Sequence, residues 1–365
     1  MIAYKAYKQK LYNSYSRNKK LYREIETYAK VWNHCIAIHK KYYSLYKKHL
    51  SLNKIKKHIT KIKKQIKYKY MRSLNSQAIQ DIVERIELGY QKFFRDKKLG
   101  RKSSIPKYKK YKNYKSFTLK QNGYKFIDDN KIRVGKQVYK YSKNQKMEGE
   151  IKTVTIKRDI VGDLYIIVVC KVDIPEVIPH TGKSVGYDFG LKTFLTSSNC
   201  DDVVAPLFFK GNIEKIKKLN KNLSRKKKGS NNYKKAKLQL AKLHRKISNQ
   251  RKDSHYKTAY EICSKYATIC IEDLNLKGMQ RLYGRKINDL GFYQFVQILE
   301  YVASKCGCEV RKADRFYASS QICCCCGYQN KNVKDLRVRE WECNNCYAYH
   351  DRDRNAAFNI LNACI

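Results

Sequence analysis

Four cysteines near the C-terminus have the spacing of a metal site. Cys323-x-x-Cys326 and Cys343-x-x-Cys346 form two pairs with 16 residues between them. Each C-x-x-C turn is tight enough to bring both sulfurs to one ion, and two such turns supply four thiolates to one tetrahedral zinc. A closed sulfur shell leaves no open coordination position, so one Zn²⁺ here is expected to be structural rather than catalytic. Residues 323–326 are all cysteine, but only the 323/326 pairing keeps two residues between ligands. Cys324 and Cys325 are expected to point away.

A second chemistry is spread along the chain in carboxylates. Asp188 ends an apolar stretch in Val185-Gly186-Tyr187-Asp188-Phe189-Gly190. Glu272 follows the apolar run Thr268-Ile269-Cys270-Ile271, and Asp351 and Asp353 open a final helical stretch. In isolation Asp188 reads equally as a turn residue, Glu272 or Asp273 as a cap of the next segment, and Asp351 or Asp353 as a helix N-cap. Together, two strand-end acids and one helix-start acid have the layout of an RNase H-like nuclease. Carboxylates that converge repel one another unless divalent cations sit between them. Two hard cations bridged by carboxylates are the apparatus of in-line phosphodiester attack, and oxygen ligands favour two catalytic Mg²⁺.

These residues need elements to position them. Leu21, Ile25, Tyr28, Trp32 and Cys35 recur at helical spacing, as do Ile79, Ile82, Val83, Ile86, Tyr90, Phe93 and Phe94, with Ser76 as the expected N-cap. That aromatic stripe is expected in the core, with the polar faces as the nucleic-acid surface. Residues 1–12 alternate weakly, as a short strand would. Period-two patterns at Phe117/Leu119, Ile132/Val134, Val154/Ile156 and Leu164–Val169 are separated by glycine turns and predict an antiparallel β unit, a small barrel, over 116–173. A linker from Pro175 to Gly182 closes it. A strand ending at Asp188, a second over Thr193–Thr196, a basic helical hairpin over 213–266 broken at Gly229-Ser230-Asn231, and a strand over Ala267–Ile271 come next. A helix over Phe292–Ala303 and a strand over Gly307–Ala313 lead into the cysteines.

Composition points to the partner. The chain has 365 residues, 80 Lys+Arg and 31 Asp+Glu, a formal net charge of +49. Self-repulsion on that scale disfavours a compact state unless a polyanion neutralises it. Nucleic acid is the fitting polyanion, and 31 tyrosines among lysine runs offer stacking surfaces for RNA. No apolar run reaches the roughly 20 residues of a membrane span. Met1-Ile2-Ala3-Tyr4-Lys5 lacks the apolar core of a signal peptide. The protein is therefore expected inside the cell, cytoplasmic or nucleoid-associated in a prokaryote, nuclear or in a virion factory in a eukaryotic or viral setting. Its cysteines are expected to be thiols and metal ligands.

Tyr187-Asp188-Phe189-Gly190-Leu191-Lys192, Ile271-Glu272-Asp273-Leu274, Ser319-Ser320-Gln321-Ile322-Cys323 with its ribbon, and His350-Asp351-Arg352-Asp353-Arg354-Asn355-Ala356-Ala357 resemble the TnpB (OrfB) proteins of insertion sequences. Those proteins are relatives of the Fanzor proteins and of type V CRISPR effectors. The resemblance implies an α/β multidomain chain. A RuvC-type, RNase H-like nuclease with an inserted zinc ribbon would follow a helical lobe and a small β-barrel. It implies boundaries at 1–14 (first strand of the barrel, or wedge), 15–100 (helical recognition lobe), 101–180 (rest of the wedge), 181–322 (first part of the nuclease), 323–346 (zinc ribbon) and 347–365 (last nuclease motif). It implies Asp188, Glu272 and Asp353 as catalytic and Mg²⁺-binding acids, with Asp353 chosen over Asp351 by the Asp-x-Asn-Ala-Ala pattern. It also implies Cys323, Cys326, Cys343 and Cys346 as zinc ligands.

The implied activity is RNA-guided cleavage of double-stranded target DNA beside a short adjacent motif, by a monomer carrying a guide RNA from the transposon end. A transposase joining strands without a guide, and a non-catalytic DNA- or RNA-binding regulator, are the alternatives. Two departures stand out. Tyr347 occupies the place of the usual glycine after the second cysteine pair, which is expected to disturb that turn, and Cys324-Cys325 replace ordinary spacers.

Overall fold

In the computed structural model the described residues are 2–12, 14–173, 178, 180, 182–274, 284, 287–335 and 337–365. They divide into two units, the first ending at Pro175 and the second beginning at Glu176. Most of the expected 175–182 linker lies outside the described residues, as does the segment after Leu274. Among the described residues no helix is long and apolar enough to cross a membrane.

In the first unit, helical periodicity becomes helix. α1 (Tyr15–Tyr46) buries Leu21, Ile25, Tyr28, Trp32 and Cys35 as one stripe. α2 (Leu52–Ile62) buries Ile55, Ile59 and Ile62. α3 (Ser76–Lys98) buries Ile79, Ile82, Val83, Ile86 and Tyr90, but Phe94 is exposed. The N-cap of α3 is Asn75, whose side chain accepts a hydrogen bond from the Gln77 amide at 2.9 Å. Ser76, the expected cap, is already helical; Asn75 reaches the second helical amide with its carbonyl oxygen.

The strands of this unit are β1 (Ile2–Tyr12), β2 (Ser116–Leu119), β3 (Tyr124–Asp128), β4 (Lys131–Val134), β5 (Gln137–Tyr141), β6 (Glu150–Arg158) and β7 (Leu164–Asp173). All pair antiparallel in the order β2-β6-β7-β1-β5-β4-β3. The N-terminal strand sits in the middle, matched to β7 from Ile2↔Asp173 to Lys10↔Tyr165. Its alternation is weak because Tyr7, Gln9 and Leu11 are its only buried side chains. The expected barrel is not closed by hydrogen bonds. β2 and β3 are the two edges of a seven-stranded sheet, with no pairing between them.

The second unit is built on a mixed five-stranded sheet. Its strands are β8 (Lys183–Phe189), β9 (Thr193–Ser197), β10 (Val203–Val204), β11 (Tyr266–Glu272) and β12 (Glu309–Ala313), in the order β10-β9-β8-β11-β12. β8 runs antiparallel to β9 but parallel to β11, and β11 parallel to β12. Between β10 and β11 lie α4 (Ile213–Ser224) and α5 (Asn231–Lys265). Ser230 caps α5, its hydroxyl accepting from the Tyr233 amide at 3.1 Å. α6 (Phe292–Cys306) lays Phe292 and Phe295 against Phe189 and Phe194 to form the core on one face of the sheet. A small hairpin, β13 (Glu340–Glu342) with β14 (Tyr349–Asp351), runs directly into α7 (Arg352–Cys364).

Candidate active site and metal centre

Strand register places the first two acids side by side. Ile271 of β11 is opposite Tyr187 of β8 in a parallel pair. The next residues, Glu272 and Asp188, therefore leave the carboxyl ends of neighbouring strands on one face, about 5 Å apart in backbone terms. Both are half-buried.

α7 delivers the third acid through a close backbone approach. A Cβ at Gly186 would fall 2.1 Å from the Ala357 carbonyl oxygen and 2.9 Å from Leu361 Cβ. Only glycine lets the helix lie on β8 this way. Gly186 precedes Asp188 by two residues and Ala357 lies about one helical turn after Asp353, so the helix start faces the strand end. At that start the two candidate aspartates separate. Asp351 is the N-cap, exposed, its Oδ1 accepting from the Arg354 amide at 2.8 Å. Asp353 lies in the first turn, half-buried, 3.4 Å from Arg339. Arg354 ties the turn to the sheet by donating to the Ser197 carbonyl at 2.5 Å and to Asp202 at 3.0 Å.

The electrostatics come from this convergence. Burial pushes the Asp188 carboxyl up to about 8, the negative charges of Glu272 and Asp353 add to the rise, and Arg352 opposes it. Burial also raises Glu272, with a smaller push from Asp273, which itself pairs with Arg315 at 2.5 Å. The three acids do not form a cluster with oxygens all within 4.8 Å of one another; among the described residues only cysteine and histidine groups do. Carboxylate oxygens are the donor chemistry of hard divalent ions.

The cysteines meet as their spacing predicts. The sulfurs of Cys323, Cys326, Cys343 and Cys346 all lie within 4.8 Å of one another, with Cys323–Cys346 at 3.6 Å and Cys326–Cys343 at 3.5 Å. A tetrahedron with Zn–S bonds of about 2.3 Å has edges near 3.8 Å, so the set fits zinc. The two turns share one backbone pattern: Gly327 N donates to Cys323 O, and Tyr347 N to Cys343 O, both at 2.9 Å. A hydrogen bond from the Asn345 side chain, helped by the Tyr328 backbone, holds the Cys326 thiol down to about 6.

Cys324, outside the four-sulfur group, has its Sγ 3.9 Å from His350 Nδ1. Cys325, Cys323 and His350 also form a tight group. His350 packs at a tilt against Trp341 and places Nε2 3.1 Å from Cys323 Sγ, where it can support a thiolate ligand. One expectation about this ribbon changes: the second turn is not disturbed by Tyr347. Gly327 has φ +76°, and Tyr347 takes the same left-handed region at φ +55°. An L side chain there costs about 1–2 kcal/mol. Tyr347→Gly is accordingly expected to stabilise the zinc-loaded protein by about 1 kcal/mol after the entropy of glycine is subtracted, read as a rise in thermal midpoint; a fall would show that the tyrosine ring contributes packing.

The ribbon is clamped to the helix that carries Asp353. Asn355 Oδ1 accepts from the Cys324 amide at 2.9 Å, and its amide donates to Ile322 O at 2.7 Å. Asn359, one turn on, donates to Ser319 O at 2.7 Å and Ile322 O at 2.5 Å. Both asparagines are buried. Their roles, and that of Gly186, escape a reading of single residues, although two asparagines four apart on one apolar helix face are a visible signal.

The OrfB_IS605 family, described as "Probable transposase", matches residues 167–282, and the Cas12f1-like TNB domain matches 292–360. The first span holds Asp188 and Glu272; the second holds the four cysteines and Asp353. Over these spans the chain is similar to the OrfB and Cas12f1-like families. A Streptomyces pristinaespiralis protein named "Putative RNA-guided DNA endonuclease" is 28% identical over 300 residues, 80% of this chain and 73% of its own. The "TnpB-like protein L79" of Acanthamoeba polyphaga mimivirus is 35% identical over 228 residues, 58% of this chain and 43% of its own. Among solved structures, the Cas12f1 chain of a Cas12f1-sgRNA-target DNA complex aligns over 99% of both chains with a TM-score of 0.38 and 17% identity.

Proposed function

We propose that this protein is an RNA-guided DNA endonuclease of the TnpB type, in which Asp188, Glu272 and Asp353 form a RuvC-type catalytic centre and Cys323, Cys326, Cys343 and Cys346 hold a structural Zn²⁺. The observation that carries the reading is the convergence of two strand ends and a helix start on Asp188, whose carboxyl is pushed up to about 8. A carboxyl so placed gains most from a bound cation. Two bound Mg²⁺ would supply charge neutralisation at the attacking and leaving oxygens of a phosphodiester. The chain's own contribution is placement. β8 and β11 fix Asp188 and Glu272 in register, α7 fixes Asp353, and Arg339 holds the Asp353 carboxylate until a cation competes for it.

The net charge of +49 suits a protein that holds RNA and duplex DNA together. In this reading base pairing with a guide RNA from the transposon end selects the double-stranded target, and the protein reads a short adjacent motif. The helices and sheet of the first unit take the roles of recognition lobe and wedge. The names of the relatives support the RNA-guided endonuclease reading.

Purified protein is expected to carry a discrete RNA, identified by sequencing, and to cut only DNA complementary to part of it when Mg²⁺ is present. RNA-free protein that cuts the same DNA equally well would defeat the guided reading. Joined transposon-end products in the same assay would favour a strand-transfer transposase.

A further inference from the structure

The first unit contains a cavity that the acids and the zinc ribbon do not use. It lies between the end of α1 and the C-terminal half of α3 and measures about 440 Å³, within the roughly 300–1,000 Å³ range of small-ligand sites. Its wall is made of rings: His39, Tyr43, His49, Tyr90, Phe93 and Phe94. His39 lies 4.7 Å from Tyr90 and 5.5 Å from His49, and His49 lies 5.4 Å from Phe94. Leu50, Ile105 and four lysines, Lys40, Lys47, Lys48 and Lys97, complete the lining, and no acid belongs to it. Glu87 stands behind the wall, paired with His49 at 3.0 Å.

Two features are hard to explain as core packing. Tyr43 is 60% exposed and Phe94 43% exposed, although both belong to helices with well-buried faces. His39 is 4% exposed, yet its Nε2 has no hydrogen-bond partner. Burial lowers its pKa to about 4, so at neutral pH the ring is uncharged and can donate from one nitrogen and accept at the other. An unpaired buried polar atom carries a desolvation penalty that a ligand edge would relieve.

Exposed rings, a neutral hydrogen-bonding group and an acid-free ring of lysines match one chemistry. Aromatic faces stack on bases, ammonium groups hold the flanking phosphates, and a buried neutral nitrogen reads a base edge. An apolar protein segment would use the rings but bring no anion to the four lysines, of which Lys40 already stands over the Tyr108 ring. We propose that this cavity captures one unstacked nucleobase of a single-stranded nucleic acid, stacked on Tyr43 and Phe94 with its edge toward His39 and its phosphates at the lysines. Base capture here stands apart from the nuclease reading and does not depend on it.

The test uses the full chain stripped of nucleic acid in high salt. Twelve-residue oligo(U) and oligo(dT), each with one central photoreactive 5-bromouracil, are cross-linked and the adducts mapped by mass spectrometry. Adducts on the peptides carrying Tyr43, Phe93 or Phe94 are expected; RNA-only or RNA-and-DNA cross-linking identifies the natural strand. Y43A/F94A is expected to weaken single-strand binding about tenfold. Its salt dependence should not change, because no cation is removed, nor should its affinity for a twelve-base-pair duplex. Y43W/F94W is expected to bind like the parent. Adducts mapping only elsewhere, or a Y43A/F94A variant that binds single strands as tightly as the parent, would overturn the proposal. Catalysis is unaffected by either result, so the two readings fail separately.

Discussion

Asp188→Ala protein is expected to retain its fold and any bound RNA and to cut target DNA at least about 10³-fold more slowly than the parent, the scale expected when a group that stabilises transition-state charge is removed. Asp188 is the acid raised by the charges of both others. Asp351→Ala is the contrasting variant. Its carboxylate is spent on the Arg354 amide, so its removal costs about 1 kcal/mol of helix capping and leaves cleavage largely intact. Cleavage that survives Asp188→Ala but not Asp351→Ala would transfer the catalytic role to the cap.

The same site makes a pH prediction with a definite sign. An ordinary aspartate titrates near 3.9 when unfolded, whereas Asp188 is pushed up to about 8 when folded. The folded state therefore holds more protons between those values, and the stability contributed by this group falls as pH rises through that window. Metal-free protein is expected to lose thermal stability from pH 5 to pH 8. Asp188→Asn should lose less, and added Mg²⁺ should restore the parent at pH 8 but not the variant. Thermal midpoints at the two pH values, with and without Mg²⁺, decide this; parallel curves for parent and variant would refute it.

Removal of zinc is expected to be as damaging as removal of a catalytic acid, by a different route. Structural zinc contributes roughly 10–16 kcal/mol of apparent binding energy to the small folds it holds. Here its loss would reach α7 directly. β14 is continuous with that helix, and Asn355 and Asn359 hold the helix to the first cysteine turn. Cys343→Ser is expected to lose its zinc, to lose hydrogen-exchange protection over α7, and to abolish cleavage with all three acids present. Cys324→Ser, which removes a neighbour of His350 rather than one of the four clustered sulfurs, is expected to retain one zinc per chain. Parent protein that is folded, active and zinc-free by metal analysis would end the structural-zinc assignment.

Local rules explain how much of this was legible in the residues alone. Buried helix faces in α1 and α3, the alternation of β7 and the two cysteine pairs all arise from spacings of two, three or four residues, and each formed where its pattern predicted. The short strands β3 and β5 were not legible. β3 has no buried position to establish a period, and β5 buries only Tyr139 and Tyr141, two tyrosines among the 31 of the chain. Closure of the sheet was equally out of reach, because it depends on which edges meet.

The amino-acid sequence by itself determined the four-sulfur cluster and the candidate acids, since ligand spacing and strand-end position are properties of short segments. The tertiary structure decided what those segments do to one another. It separated Asp351 from Asp353 by giving one of them a helix cap. It made Gly186 the seat of α7 and gave Asn355 and Asn359 the task of coupling ribbon to helix. It raised Asp188 by burying it and by bringing the charges of Glu272 and Asp353 near it, and it left Phe94 of a largely buried stripe exposed. The physical reason is common to all of these: burial, field and close approach are sums over neighbours in space, and chain connectivity does not specify those neighbours.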